Sequence, residues 1–117
     1  MTNGEMQESP IYSRTYDLML WLLPQATKFP RTHRFGIGER VTRRALDFQE
    51  TLVAAGMRKG GERNTLLSQA DVELSQLKQL IRLCKDLQIL TTGQYEHAAG
   101  MLVEIGRLLG GWMKKSG

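Results

Sequence analysis

Residues 64–89, NTLLSQADVELSQLKQLIRLCKDLQI, decide the fold. Leu67, Ala70, Leu74, Leu77, Ile81 and Cys84 recur there at spacings of 3, 4, 3, 4 and 3. That period keeps one face of a helix apolar. A second stripe, Leu66, Leu80 and Leu87, widens the face. Two seams on one helix imply two packed neighbours, as in a helical bundle. Asn64 supplies an N-cap side chain, so the helix is expected to begin there and to run to about Ile89.

The same period extends in both directions. Over about 32–57 it is carried by Gly38, Val41, Ala45, Phe48, Leu52 and Ala55, with Gly56 and Lys59-Gly60-Gly61 as the stop. Over about 92–114 it is carried by Tyr95, Ala98, Leu102, Ile105, Leu109 and Trp112. Thr91 and Gln94 have the spacing of a capping box ahead of that segment, and Lys114 and Lys115 sit where the helix dipole favours cations. Over about 9–28 the stripe reads Tyr12, Tyr16, Met19, Leu23 and Ala26. Pro24 removes a backbone donor and predicts a kink or early stop. Phe29-Pro30 ends the segment, because a residue before proline avoids the α region.

Strand signals are weak, since Val and Ile are sparse and no alternating run is bounded by hairpin turns. The expected fold is all-α: one domain over 1–117, an antiparallel up-down four-helix bundle, with residues 1–8 a disordered N-terminus. About 26 residues per long helix span roughly 39 Å. Helices that long in a small chain leave apolar surface for a homo-oligomer.

The chain has 117 residues, 41% of them hydrophobic, and a formal net charge of +4. The excess is local. Residues 28–59 hold eight Lys and Arg against Glu39, Asp47 and Glu50, whereas residues 1–27 are acidic. A concentrated excess of this kind points to a binding surface. Cys84 is the single cysteine, so an intrachain disulfide is excluded and a reducing compartment fits. No basic, then apolar, leader is evident at the N-terminus. The longest apolar run, Leu18 to Leu23, falls far short of the roughly 20 residues a membrane span needs. The expected location is the cytoplasm.

Catalytic chemistry has no evident seat. His33 and His97 lie in different segments without a second ligand at metal spacing, and no Glu-x-x-His pair exists. Neither metal nor cofactor is expected. Cys84 lies on an apolar seam and reads as a small core residue. Gly36-Ile37-Gly38 follows no strand, so it is not a nucleotide fingerprint; those glycines suit a close backbone approach.

The basic segment is the candidate site. Arg40, Arg43 and Arg44 fall within an arc of roughly 100° off the apolar stripe, and Lys28, Arg31 and Arg34 add charge at the same end. Glu39 and Asp47 can each pair with Arg43. Phe29, His33 and Phe35 interleave aromatics with this charge, a pattern that can stack on unpaired bases. The simpler reading has Phe29 and Phe35 stapling the turn to the core. Gly110-Gly111 inside a helical pattern costs about 1 kcal/mol per glycine. Close packing or an intersubunit contact of Trp112 would offset that; otherwise the helix ends at Leu109.

Several motifs, taken in order, resemble the accessory variability determinant (Avd) proteins of diversity-generating retroelements. They are Leu20-Trp21-Leu22-Leu23-Pro24, Lys28-Phe29-Pro30-Arg31, Arg34-Phe35, Gly38 and Arg40. They continue with Leu74-Ser75-Gln76-Leu77 to Leu87, Gln94-Tyr95-Glu96-His97 and Leu108-Leu109-Gly110-Gly111-Trp112. The resemblance spans about residues 12–115. A looser likeness is to the four-helix bundles encoded in intervening sequences of ribosomal RNA genes, which share the Lys-Phe-Pro element. The Avd resemblance implies a non-catalytic bundle assembled as a homopentameric barrel with a basic surface. It implies binding to the element's reverse transcriptase and to RNA or DNA, in support of mutagenic cDNA synthesis and retrohoming. Arg31, Arg34 and Arg40 match that surface by motif, and Arg43 and Arg44 join it by helix geometry. This chain is less basic than the resemblance leads one to expect. The ribosomal likeness implies instead a structural or protein-interaction bundle.

Overall fold

Ser9 is extended (φ −66°, ψ 129°) and Pro10 takes the first helical position. Proline's missing N–H is harmless there, because the first turn has no intrahelical acceptor for it. Helix α1, Pro10–Thr27, starts at this point in the computed structural model, which describes residues 9–116. The expected disorder of residues 1–8 lies outside the described residues. After α1 come one short helical turn, α2 (Arg31–His33), a π-helical segment (Arg34–Gly38), and the long helices α3 (Glu39–Gly56), α4 (Gly60–Asp86) and α5 (Thr92–Ser116). Among the described residues there is no strand. Among the described residues no helix is long and apolar enough to cross a membrane.

The four long helices close around one core. α3 packs on α1 and α4, and α5 packs on α4 and α1. The molecule measures 43 × 22 × 21 Å. The first stripe expected of α4 is buried throughout, from Leu67 to Cys84, whereas of the second stripe Leu66 and Leu80 are part-buried and Leu87, at the C-cap, is exposed. Also buried are Gly38, Val41, Ala45, Phe48, Leu52 and Ala55 around α3, and Ala98, Leu102, Ile105 and Leu109 in α5.

The stripe of α1 departs from expectation. Ile11, Thr15, Leu18, Leu22 and Ala26 face the core, one residue round from the expected set, and Tyr16 is 55% exposed. Both sets satisfy a helical period. The observed phase buries the wholly apolar side chains of Leu18 and Leu22 and leaves the Tyr16 hydroxyl in water, and it also buries Thr15, whose Oγ1 has no hydrogen-bond partner among the described residues. Tyr12 stays half-buried because its hydroxyl donates to the Leu52 carbonyl at 2.7 Å. Pro24 does not stop the helix, which continues to Thr27. Ala26 and Phe29, both buried, anchor the chain beyond it.

The ends of α4 also differ from expectation. It begins at Gly60, four residues before Asn64, with Lys59 extended as its N-cap. The early start carries Arg63 on the first turn, where its Nε donates to the Ala55 carbonyl at 3.0 Å and its guanidinium reaches the Gly56 carbonyl at 3.4 Å. It ends at Asp86, not Ile89, because Gln88 adopts φ +63°. The Ile89 and Gln88 N–H groups then donate back to Cys84 and Lys85 at 2.8 and 2.9 Å, the Schellman arrangement. The capping box at the foot of α5 is present as expected. The Gln94 N–H donates to Thr91 Oγ1 at 3.1 Å, and the Thr91 N–H donates to Gln94 Oε1 at 2.9 Å.

Candidate nucleic-acid interface

The junction between α1 and α3 sets the site. A regular helix extended backward from Val41 and Gly38 would carry Arg34 onto the core face. The π turn over Arg34–Gly38 adds a residue to that turn and changes the phase. His33 becomes half-buried in place of Arg34, while Arg34 and Phe35 turn outward. Gly38 is the pressure point. A Cβ there would lie 3.2 Å from the Phe29 ring, 3.3 Å from the His33 carbonyl and 3.5 Å from the Ala26 carbonyl. The expected close backbone approach thus holds at Gly38. At Gly36 it does not, since a Cβ there meets nothing within 4 Å.

The expected basic residues divide into groups. Arg40, Arg43 and Arg44 line one concavity of about 660 Å³ with Phe35, Gly36 and Glu39. Arg34 lines a second, of about 320 Å³, with Phe35, Ala26, Thr27, Gly38, Glu39 and Thr42. Phe35 and Glu39 line both concavities and so stand between them. Arg31, on the α2 turn, is exposed and lines neither. Arg43 pairs with Glu39 at 3.1 Å and Arg44 with Asp47 at 3.6 Å. Of the two arginines within reach of Asp47 in sequence, Arg43 and Arg44, it is Arg44 that takes it. Such surface pairs contribute about 0–1 kcal/mol and yield readily to a stronger anion. Among the described residues Arg31, Arg34 and Arg40 form no ion pair.

Arg40 and Arg44 also border a groove of about 660 Å³ between α3 and α4, with Val72, Leu80 and Leu83 supplying apolar surface and Asp71, Ser75, Gln76 and Gln79 polar surface. Arg44 Nε is buried there and has no hydrogen-bond partner among the described residues.

Two aromatic expectations separate. Phe29 is buried at 3% exposure and staples the turn, as the sequence suggests. Phe35 does not staple anything: it is 76% exposed. Its neighbours in sequence signal a turn, and the π segment that swings it outward has no mark in the apolar period.

Away from this end, the helix of α5 passes through Gly110 and Gly111 to Ser116 rather than ending at Leu109. A Cβ on either glycine meets nothing within 4 Å, so no close packing within the chain accounts for them. Trp112 is half-buried within its own chain, edge-on to Tyr12 with centroids 6.0 Å apart, and 5.8 Å beneath the Arg63 guanidinium. Arg63 is a structural arginine that the charge pattern alone does not distinguish. Desolvation by burial pushes the Tyr12 hydroxyl up to about 12, against the opposing pull of Arg63. Burial likewise pushes the Cys84 thiol up to about 11, which suits an inert core residue. His97 is exposed and lies against Trp21, with ring centroids 4.8 Å apart and planes tilted by 54°. Glu73 is a buried carboxylate whose Oε1 has no partner among the described residues. No group of three His, Cys, Asp or Glu among the described residues is placed to hold a metal ion.

A search of curated proteins returned no match to this chain. A model of the bAvd-like protein family matches residues 10–116, nearly the full length and every helix described above. The chain therefore belongs to the bAvd-like family.

Proposed function

We propose that this chain is a non-catalytic accessory protein of a diversity-generating retroelement. It binds the element's reverse transcriptase and RNA or DNA through a basic surface, and so supports mutagenic cDNA synthesis and retrohoming in the cytoplasm. The family membership supports the retroelement. The single observation that carries the nucleic-acid role is the gathering of Arg40, Arg43 and Arg44 around one open concavity beside an exposed aromatic ring. Arginine's planar fork suits phosphate oxygens, and Arg31 and Arg34 extend the charge toward α1.

The chain acts as one domain over 1–117. Its long helices run antiparallel, up and down, a reading supported by connections too short to travel back along a helix (28–30, 57–59 and 87–91). A homopentamer multiplies the modest charge of each protomer by the number of copies. Trp112 and the open face of Gly110 and Gly111 lie at the end of α5 where a neighbouring protomer would meet it.

Fluorescence anisotropy with a labelled RNA–DNA hybrid tests the reading. Binding should fall steeply with salt and be lost in the folded Arg40→Ala, Arg43→Ala, Arg44→Ala variant. Absence of wild-type binding at low salt would overturn the nucleic-acid role.

A second reading rests on the groove between α3 and α4. Its apolar floor of Val72, Leu80 and Leu83 beneath Arg40 and Arg44 suits an acidic, partly apolar protein segment. A structural or protein-interaction bundle of the ribosomal intervening-sequence type would use that groove alone. Retention of a partner protein by the chain with no nucleic-acid binding would favour it.

A further inference from the structure

An exposed phenylalanine in a helix needs a reason. Phe35 leaves 76% of its surface in water although the core lies one turn away, where Phe29 and Gly38 are buried. The residue is held out by a π turn, a feature that recurs at functional sites. Gly36, next in the chain, faces open space, since a Cβ there meets nothing within 4 Å. The ring stands as a ridge with a concavity on each side, of about 320 and about 660 Å³. Cationic side chains border both, Arg34 on one and Arg40, Arg43 and Arg44 on the other, with the Glu39 carboxylate, paired to Arg43, lining both.

We propose that Phe35 is a stacking platform for an unpaired base, so that this site takes single-stranded nucleic acid, or a single-stranded overhang, in preference to duplex. This rests on the nucleic-acid reading above and narrows its substrate class. The chemistry is direct. Base faces inside a duplex are covered by their neighbours, and a lone protruding ring cannot reach them. In a single strand each base offers a π-face to an aromatic ring, whatever its identity, while arginines hold the flanking phosphates. The arginines on both flanks let the backbone pass across the ridge with a phosphate on either side of the stacked base. The ring has no polar group, so it does not distinguish RNA from DNA or one base from another.

The test compares wild type, Phe35→Ala, Phe35→Trp and the triple Arg40, Arg43, Arg44 alanine variant. Each is titrated by anisotropy against labelled oligo-U, oligo-dT and a blunt DNA duplex over a range of salt. Phe35 is exposed, so its variants keep the fold, which circular dichroism checks. Phe35→Ala should weaken both single strands about five- to a hundredfold and leave the duplex within about twofold, with the salt slope unchanged. Phe35→Trp should restore binding. The arginine variant should lose binding to every ligand alike. Equal losses for single strand and duplex, or no loss in Phe35→Ala, would overturn the stacking role while leaving nucleic-acid binding intact. Wild-type binding to none of the three would overturn both readings together. Loss of reverse-transcriptase binding in Phe35→Ala, with nucleic-acid binding unchanged, would make the ring a protein anchor and overturn the proposal.

Discussion

Arg63→Ala should lower stability by about 2–3 kcal/mol, a large effect for one half-exposed arginine. The figure comes from three contacts. The first is a charge-assisted bond from Nε to the Ala55 carbonyl at 3.0 Å; such bonds contribute about 1.5–3 kcal/mol net. The bond to Gly56 is long, 3.4 Å, and adds little by itself. The second is the position of the guanidinium at the C-terminus of α3, where a cation contributes about 0.3–1 kcal/mol against the helix dipole. The third is its seat over Trp112 at 5.8 Å, worth about 0.5–1 kcal/mol at an exposed site. These do not add fully, because solvent reaches the group. Urea unfolding followed by circular dichroism, at fixed protomer concentration, reads the change. The matching thermal shift is on the order of 10 °C. Arg63→Lys should recover about half, since an ammonium keeps the charge but not the planar fork. Arg82→Ala is the control: its one ion pair, to Asp86, spans 4.0 Å on an exposed face, and the variant should stay within about 0.5 kcal/mol of wild type. An Arg63→Ala variant equally close to wild type would refute the reasoning, and with it the view that this arginine ties α4, α3 and α5 together.

Three further outcomes follow from local geometry. Gly110→Ala and Gly111→Ala should each stabilise the protomer by about 0.5–1 kcal/mol, because a methyl there meets open space; a drop in oligomer size by light scattering would instead show that a neighbouring subunit occupies that space. Gly38→Ala should lower Tm despite the gain in helix propensity, since its methyl presses on the Phe29 ring and the His33 carbonyl, and a raised Tm would sink that account. Gln88→Gly should raise Tm, with a gain of about 0.5–1 kcal/mol, by relieving a left-handed backbone (φ +63°). Stability should also fall in alkali. Cys84 and Tyr12 hold their protons up to about 11 and about 12, above their ordinary values of 9.0 and 10.0. The unfolded chain releases those protons first, so the stability they contribute is complete below pH 9 and lost as pH rises toward 12. Tyr12→Phe should flatten the upper part of that decline in pH-dependent urea melts.

The parts of the fold that were legible in advance share a cause. In α3, α4 and α5 one stripe dominates the apolar pattern, and its members from Gly38 to Ala55, Leu67 to Cys84 and Ala98 to Leu109 are buried, whereas Tyr95 and Trp112 at the ends of the α5 stripe are only part-buried and Leu87 of the second α4 stripe is exposed. In α1 apolar residues occupy adjacent positions (Leu18, Met19, Leu20, Trp21, Leu22, Leu23), so several phases fit the period equally. Packing chose the phase that buries Thr15 and leaves Tyr16 in water. Helix ends followed side-chain chemistry where that chemistry is local, as in the Thr91–Gln94 box. They escaped it where a distant partner decides, as Arg63 does for the start of α4 by bonding the end of α3.

The same distinction governs the candidate site. Arg40, Arg43 and Arg44 share a surface because they share a regular helix, and spacing alone is enough to say so. Phe35 reaches that surface through a break in regularity. Phe29 and the end of α1 crowd Gly38, the turn widens to five residues, and the aromatic expected to close the turn is carried outside it. A period read from sequence assumes constant pitch, so it must fail where the pitch changes. It fails here at the one place where an exposed ring meets the chain's concentrated charge. A regular helix through Arg34 would bring that arginine toward the core and dissolve the ridge, at no penalty that the apolar pattern records. The widened turn thus positions the ring between two cationic concavities, and any variant that restores regular pitch should remove the ridge without touching a single arginine.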